Sequence, residues 1–209
     1  MSSFSDMTLG EFIEQAASDS PTPGGGAIAA LVGALGGTMA AMAANFTVGK
    51  PKYAQYESMM REAIEELNTL IGQLREAVDE DARAFSKISE AYRLPNESDE
   101  EKAARKQAVN EALAAAMQVP MSVLRKCGKL VELLPTLAGA SNSNLLSDVE
   151  VAGIMVEAAA RAAMTNVLVN SRQLQGADVR ITEREAEEIL QKVSQVATEI
   201  ASIISGRNR

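Results

Sequence analysis

The residue with the strongest case for chemistry is Asp81, an acid at an apolar position of a helical pattern. From Lys52 to about Tyr92, apolar residues recur at alternating intervals of four and three, and between Val78 and Phe85 the alternation requires residue 81. Residues at these intervals share one helix face. Burial of a carboxylate raises its pKa, which suits a general base. Rotation of the helix to the surface, or a structural bond to a lysine, would also accommodate Asp81.

The composition restricts which groups can move protons. The chain of 209 residues has no histidine, so a general acid or base must be a carboxylate, lysine, tyrosine, cysteine or a water that these hold. Cys127 is the only cysteine, which excludes an internal disulfide and a cysteine metal cluster. Zinc sites draw on His and Cys, so zinc catalysis of the usual kind is excluded. We expect no cofactor.

The charge and hydrophobic content favour a protein of one domain, residues 1–209. The net charge of −8 and the pI near 4.8 argue against a nucleic-acid partner. A hydrophobic content of 46% is enough for a substantial core. The first twenty residues lack the basic and apolar regions of a signal peptide, so we expect a cytoplasmic protein.

A glycine-rich turn precedes a helix with no charge. Pro21 and Pro23 stiffen the approach to three glycines, for which we expect positive φ and close contact. The free N–H groups of a helix that starts here would bind an anion or a polar ligand edge. A flexible hinge explains three glycines equally well. The glycines are Gly24, Gly25 and Gly26.

The uncharged stretch from Ala27 to Val48 is predicted to form a central helix. Four small residues at intervals of four line one face, which allows a second helix to approach closely. A membrane span fits the length but not the weakly apolar Ala and Gly, so we expect no membrane partner. The small residues are Ala29, Gly33, Gly37 and Ala41.

The remaining pattern predicts an all-α bundle of six to seven helices around the Ala/Gly-rich helix, without a sheet. Four capping boxes are expected, at Thr8 with Glu11, Ser98 with Glu101, Ser147 with Glu150 and Thr182 with Glu185. The predicted helices are Thr8–Ser18, Ala27–Thr47, Lys52–Tyr92, Ser98–Gln118, one from Pro120 that ends by Pro135 and Gly139, Asp148–Leu174, and one from Thr182 to about Ile204.

Several polar residues have both a structural and a functional interpretation. Asn166 and Asn170 share one helix face, and buried amides often only tie helices together. Lys50, Lys52 and Tyr53 follow the central helix, where cations complement its negative end. A polar loop with Asn142 and Asn144 leads to Ser147, which suits an N-cap, and to Asp148, which suits the first turn of a helix.

The ordered motifs together resemble the cyclodeaminase/cyclohydrolase family, whose members include the C-terminal domain of formiminotransferase-cyclodeaminase and stand-alone methenyltetrahydrofolate cyclohydrolases. The resemblance spans nearly the whole chain. It rests on S-P-T-P-G-G-G, T-V-G-K-P-K-Y, D-E-D-A-R-A-F, A-Y-R-L-P, N-S-N-L-L-S-D-V and A-A-M-T-N-V-L-V-N.

The resemblance implies an all-α homodimer that binds a tetrahydrofolate in a cleft without metal. It implies that Asp81 is the acid/base and that Phe85 is its aromatic neighbour. Pro51 stands where a lysine is common, and Ser141 where glycine is usual. The implied substrate contacts are Pro23 to Gly26, Lys50, Lys52, Tyr53, Asn142, Asn144, Ser147 and Asp148, with Asn166 and Asn170 near the pterin.

We therefore expect a methenyltetrahydrofolate cyclohydrolase, with formimidoyltetrahydrofolate cyclodeaminase as the alternative. Lack of a formiminotransferase domain in this sequence modestly favours the cyclohydrolase. A non-catalytic helical assembly protein, which uses the Ala/Gly face for contacts, is the alternative from another class.

Overall fold

A computed structural model describes residues 3–174 and 176–207, and this part of the chain contains six α-helices and no strand. The all-α prediction is confirmed. Short 3₁₀ turns lie at Phe4–Asp6, Pro51–Tyr56 and Ser143–Leu145. The helices are α1 (Leu9–Ala16), α2 (Gly25–Asn45), α3 (Glu57–Tyr92), α4 (Asp99–Ala140), α5 (Leu146–Ser171) and α6 (Ala177–Arg207).

Helix α2 is the centre of the bundle, as its small residues predict. A Cβ atom added at Gly33 would lie 3.5 Å from atoms of Leu74, Cys127 and Ala159, which belong to α3, α4 and α5. At Gly37 it would lie 2.8 Å from Ile71. Three helices therefore approach α2 because it carries almost no side chain on these faces.

Two segments are long and apolar enough to cross a membrane, by length and composition only. They are Gly25–Asn45, of which 61% of the most apolar window is buried inside the bundle, and Ser143–Ser171, of which 44% is buried. A core helix covered by other helices passes the same test. The contacts of α2 on three sides are those of a core helix.

The predicted helix break at Pro120 is wrong, because α4 runs without interruption through Pro120 and Pro135. A proline inside a helix loses one backbone hydrogen bond and costs about 3 kcal/mol. Here Pro120 is buried together with Met117 before it and Met121 and Leu124 after it. Burial of apolar side chains on both sides of the proline offsets that cost.

Two of the four predicted capping boxes form. Thr8 with Glu11 begins α1, and Ser98 with Glu101 begins α4, each with both reciprocal hydrogen bonds. These boxes use only neighbouring residues, so a local pattern suffices to predict them.

The boxes that begin with Ser147 and Thr182 do not form. Helix α5 already starts at Leu146, with Leu145 at its N-cap, so Ser147 lies in the first turn. Thr182 lies inside α6, where its hydroxyl donates to the carbonyl oxygen of Asp178 at 2.9 Å. In both cases the preceding residues are helical, and the cap moves toward the N-terminus.

Candidate active site

Asp81 lies where the buried face of α3 opens to solvent. Before it, Leu74 and Val78 are buried, at 0% and 2% exposure. After it, Phe85 is 39% and Tyr92 is 41% exposed, although they continue the same apolar pattern. Asp81 itself is half-buried. The predicted buried position is therefore half-buried, at the point where this face becomes more exposed.

The glycine turn brings the start of α2 against the Asp81 carboxylate. The N–H of Ala27 donates to Asp81 Oδ2 at 3.0 Å. A Cβ atom at Gly26 would lie 2.0 Å from Asp81 Oδ1, which no side chain could tolerate without displacing the carboxylate. At Gly24 it would lie 4.0 Å from Oδ2. Glycine is thus required at Gly26 by close approach.

The expected positive φ in this turn is wrong. Gly24 is the N-cap of α2 with φ −101°, and Gly25 and Gly26 already belong to the helix. In the described residues, the glycines with positive φ are Gly49 and Gly176. Three consecutive glycines suggest unusual dihedral angles, but here the reason is the carboxylate beside them.

The pKa of Asp81 and the pKa of its neighbour Asp79 are shifted in opposite directions. Burial raises the pKa of Asp81, and the Ala27 N–H opposes this only in part. Partial burial also raises the pKa of Asp79, but hydrogen bonds from the Ser3 hydroxyl (2.6 Å) and the Phe4 N–H (2.7 Å) outweigh it, so that pKa is lowered. Of the two, Asp81 is suited to exchange a proton.

Asn166 of α5 borders the same turn. A Cβ atom at Gly25 would lie 3.4 Å from both amide atoms of Asn166, whose Nδ2 donates to the carbonyl oxygen of Ala162 at 2.9 Å. Asn170 is half-buried one turn later, and we find no hydrogen bond from its side chain to another described residue. Pro23 is buried at the start of the turn.

The other predicted site residues gather at the opposite end of α2. Thr47 accepts the N–H of Asn142 at 2.8 Å, and the Tyr53 hydroxyl accepts the N–H of Ser143 at 3.0 Å. Lys52 lies over the Tyr53 ring, 5.4 Å from its centre. Hydrogen bonds with the Ser143 hydroxyl and amide lower the pKa of Tyr53.

The rest of this second cluster is more exposed. The N–H of Asn144 donates to Asn142 Oδ1 at 3.1 Å, which stabilises the loop. Lys50 and Ser147 are exposed, and Asp148 is half-buried. Within the described part of the chain, no hydrogen bond or ion pair joins this cluster to Asp81.

The two clusters are too far apart to contact one reacting ring in a single copy. Asp81 bonds to the first turn of α2, and Thr47 follows its last turn. A helix of 21 residues spans about 30 Å. The sequence motifs gave no indication of this separation, because spacing along the chain does not report distance in the fold.

Chemically, the first cluster offers a proton acceptor beside a helix N-terminus. Burial raises the pKa of Cys127 to about 12, so this thiol is not an alternative base. We find no group of three His, Cys, Asp or Glu side chains, within residues 3–174 and 176–207, that could hold a metal ion. The sequence did not predict the roles of Thr47 and Ser143, or the hydrogen bonds that Asp79 accepts from Ser3 and Phe4, since each depends on a partner remote in sequence.

Comparison with known proteins shows which enzymes this chain is similar to. The chain is 38% identical to a methenyltetrahydrofolate cyclohydrolase from Methylorubrum extorquens over 80% of each chain. It is 36% identical to a formimidoyltransferase-cyclodeaminase from Mus musculus over 81% of this chain, but only 31% of that longer protein. A crystal structure of formiminotetrahydrofolate cyclodeaminase from Thermotoga maritima matches with a TM-score of 0.86, 30% identity and 98% coverage of both chains.

The family model described as formiminotransferase-cyclodeaminase matches residues 8–195, which include both clusters. The all-α fold and the order of motifs are those expected from the resemblance. This chain belongs to the formiminotransferase-cyclodeaminase family.

Proposed function

We propose that this protein is an enzyme that hydrolyses 5,10-methenyltetrahydrofolate to 10-formyltetrahydrofolate. The observation that carries the proposal is the Asp81 carboxylate, which is half-buried, has a raised pKa and faces the open part of α3 beside the first turn of α2. The named cyclohydrolase of similar length supports the choice of reaction.

The reaction requires two proton transfers at one place. The carbon that bridges N5 and N10 is an electrophilic amidinium carbon. Asp81 takes a proton from water as the oxygen attacks this carbon, and then delivers it to N5 as the C–N5 bond breaks. The hydroxyl proton leaves to solvent as the formyl group forms on N10. Asn166 and the glycine turn border the pterin in this arrangement.

Cyclodeaminase activity is the second candidate, because the Thermotoga maritima protein with that name covers the same length of chain. Ring closure of 5-formimidoyltetrahydrofolate with loss of ammonia requires the same kind of proton transfers. Chain length therefore does not separate the two reactions, whereas ammonia release does.

The test is the loss of methenyltetrahydrofolate absorbance on addition of the protein. We expect Asp81→Asn to fold normally and to reduce the rate to background. Glu76→Gln, an exposed acid on the same helix, is the matched control and retains activity. Equal rates for wild type and Asp81→Asn would remove Asp81 from the mechanism, and no activity on either folate would favour the non-catalytic assembly protein.

We also propose a homodimer that joins the two clusters. Helix α2 exposes an uncharged apolar stripe at intervals of four and three, beside Val151 and Ile154 of α5, which are 42% and 61% exposed. A second copy packed antiparallel on this stripe would bring Tyr53 and the other polar residues at the C-terminal end of α2 in one chain near Asp81 of the other chain. The stripe consists of Ile28, Val32, Leu35, Met39, Met42 and Phe46.

A cysteine introduced at the centre of the stripe tests the dimer. Leu35→Cys should form a covalent dimer under mild oxidation, because a two-fold axis brings the same residue of each copy together. The native Cys127 is buried and does not interfere. Ile181→Cys, which is 64% exposed on α6, is the control and should stay monomeric on a non-reducing gel.

Mixing two inactive variants tests whether the site is shared. If Asp81→Asn and Tyr53→Ala each lack activity, random re-association should restore about one quarter of the wild-type rate, since half of the dimers carry one intact site. No recovery would show that each copy holds a complete site.

The remaining attributes follow from the same proposal. The two proton transfers require neither metal nor cofactor, so activity should survive dialysis against EDTA. The substrate is a soluble folate, and the negative net charge disfavours nucleic acid. We propose that the protein acts in the cytoplasm without a membrane partner, and cell fractionation would check both.

A further inference from the structure

A cavity of about 830 Å³ lies along α3 immediately after Asp81, and we call it the α3 groove. One wall is α3 from Ala82 to Arg93, and the others are Ser3 with Phe4 and Pro21 with Thr22. Pro21 and Thr22 lead directly into the glycine turn that contacts Asp81. The groove includes Ala82, one residue after the candidate catalytic carboxylate, which is not itself part of the lining.

Three cations line the α3 groove without ion-pair partners in the described part of the chain. They are Arg83, Lys87 and Arg93, all exposed. Three arginines elsewhere in the described part of the chain are paired within 4.0 Å, namely Arg61 with Glu57, Arg125 with Glu185 and Arg161 with Glu157, whereas others such as Arg75 are not.

The acidic groups in the groove do not neutralise these cations. Asp79 is occupied by the Ser3 hydroxyl and the Phe4 N–H. Glu90 is the remaining acid of the lining. The groove thus carries more positive than negative charge in a protein whose net charge is −8. Such a surface suits a ligand with several carboxylates.

The cations follow Asp81 at increasing distance along the axis of α3, but not in one row with it. At a rise of 1.5 Å and a rotation of about 100° per residue, Arg83, Lys87 and Arg93 lie about 3, 9 and 18 Å from Asp81 along the axis and are rotated from it by roughly 160°, 120° and 120°. Phe85, whose ring is partly exposed, stands between the carboxylate and the outer cations. An aromatic ring followed by carboxylates at increasing distance would match this order.

We propose that the α3 groove binds the p-aminobenzoyl-glutamate tail of the folate, with Phe85 against the benzoyl ring and the glutamyl carboxylates at Lys87 and Arg93. This inference rests on the proposed function for the identity of the substrate. It assigns the tail to α3 of the chain that supplies Asp81, and not to the cations Lys50 and Lys52 at the other end of α2. Arg93, the cation farthest from Asp81 along α3, binds the carboxylates of the additional glutamates in a longer tail.

The test compares methenyltetrahydrofolate with one and with three glutamates as substrates. For the wild type, KM should be lower for the triglutamate. Arg93→Ala should raise KM for the triglutamate about five- to tenfold more than for the monoglutamate, because it removes a charge-assisted hydrogen bond. Lys87→Ala should raise KM for both.

Arg75→Ala is the matched control, since Arg75 is an exposed cation of α3 outside the groove. It should leave the ratio of the two KM values unchanged. The proposal is overturned if Arg93→Ala leaves this ratio unchanged, or if Lys50→Ala or Lys52→Ala changes it instead.

A binding measurement separates this proposal from the reaction assignment. The probe is p-aminobenzoyl-tri-γ-glutamate, which has the tail but no pterin, titrated by calorimetry into the wild-type protein. Binding that Arg93→Ala weakens and Arg75→Ala does not would support the groove even if no folate is turned over, and the proposed reaction would then be wrong. No binding of the probe to an active enzyme would overturn the groove assignment.

Discussion

The two ends of α2 hold opposite kinds of polar cluster. At the N-terminal end, Asp81 accepts one backbone N–H, from Ala27, and has a raised pKa. At the C-terminal end, Thr47 and Tyr53 accept backbone N–H groups of Asn142 and Ser143, which lie in the loop between α4 and α5. The first end is arranged for proton exchange, and the second holds a loop in place.

The polarity of a helix explains this difference. A helix N-terminus presents N–H groups without partners and attracts a carboxylate, whereas a C-terminus presents carbonyl groups that need donors. The Thr47 hydroxyl donates to the carbonyl oxygen of Ala43 at 2.8 Å, and Asn142 Nδ2 donates to that of Phe46 at 3.3 Å. Each end therefore selects its own residue types.

The largest effect is expected for Gly26→Ala at the N-terminal end. The new methyl group would collide with Asp81 Oδ1 and displace the carboxylate. A displacement of this size should reduce kcat/KM at least about 100-fold. Gly10→Ala in α1 is the control, because no atom lies within 4 Å of its Cβ position. Full activity of a folded Gly26→Ala protein would contradict the placement of Asp81.

At the C-terminal end, Thr47→Val should act on stability. The side chain is 1% exposed, and its loss leaves the Asn142 N–H without its partner. We expect a decrease of about 1–3 kcal/mol in the free energy of unfolding, measured with urea. Thr69→Val removes an exposed hydroxyl bond to Glu65 and should cost much less. Equal costs would mean that the loop is not held by Thr47.

The pH dependence of stability should distinguish Asp81 from Asp79. Because folding raises the pKa of Asp81, its contribution is fully present below its ordinary value of 3.8 and is lost as pH rises through the folded value. Asp81→Asn should therefore gain stability relative to the wild type as pH rises toward neutrality. For Asp79, whose pKa is lowered, the contribution to stability is fully present above the ordinary value of 3.8 and is lost as pH falls through the folded value, so Asp79→Asn should lose stability relative to the wild type as pH rises from below that folded value to about 3.8. Urea unfolding at several pH values measures both, and slopes of the same sign would contradict the contrast.

The smallest effect is expected for Ser141→Ala, in the loop after α4. Its hydroxyl is fully buried and has no hydrogen-bond partner in the described part of the chain. Its removal should raise the free energy of unfolding by about 1 kcal/mol. Ser171→Ala is the contrasting variant. That buried hydroxyl donates to Glu183, so its removal should lower the free energy of unfolding. A loss of stability in Ser141→Ala would indicate an unrecognised partner.

Local patterns predicted much of the fold. The small residues of α2, the apolar face of α3 and the boxes at Thr8 and Ser98 depend on intervals of a few residues. The sequence did not predict that α4 continues through Pro120, because the compensating burial comes from other helices. It also placed two caps too late, at Ser147 and Thr182.

The sequence by itself determined that the protein is helical, that its central helix admits close neighbours, and that an acid interrupts the apolar face of α3, since helix periodicity fixes each of these. Only the tertiary structure decided that α2 starts at Gly25 and that Phe85 and Tyr92 of α3 stay exposed beyond Asp81. It also decided that Lys50, Lys52, Tyr53 and the loop from Asn142 lie at the far end of α2, a helix about 30 Å long. The relative placement of helices depends on packing between distant segments, which no interval along the chain records.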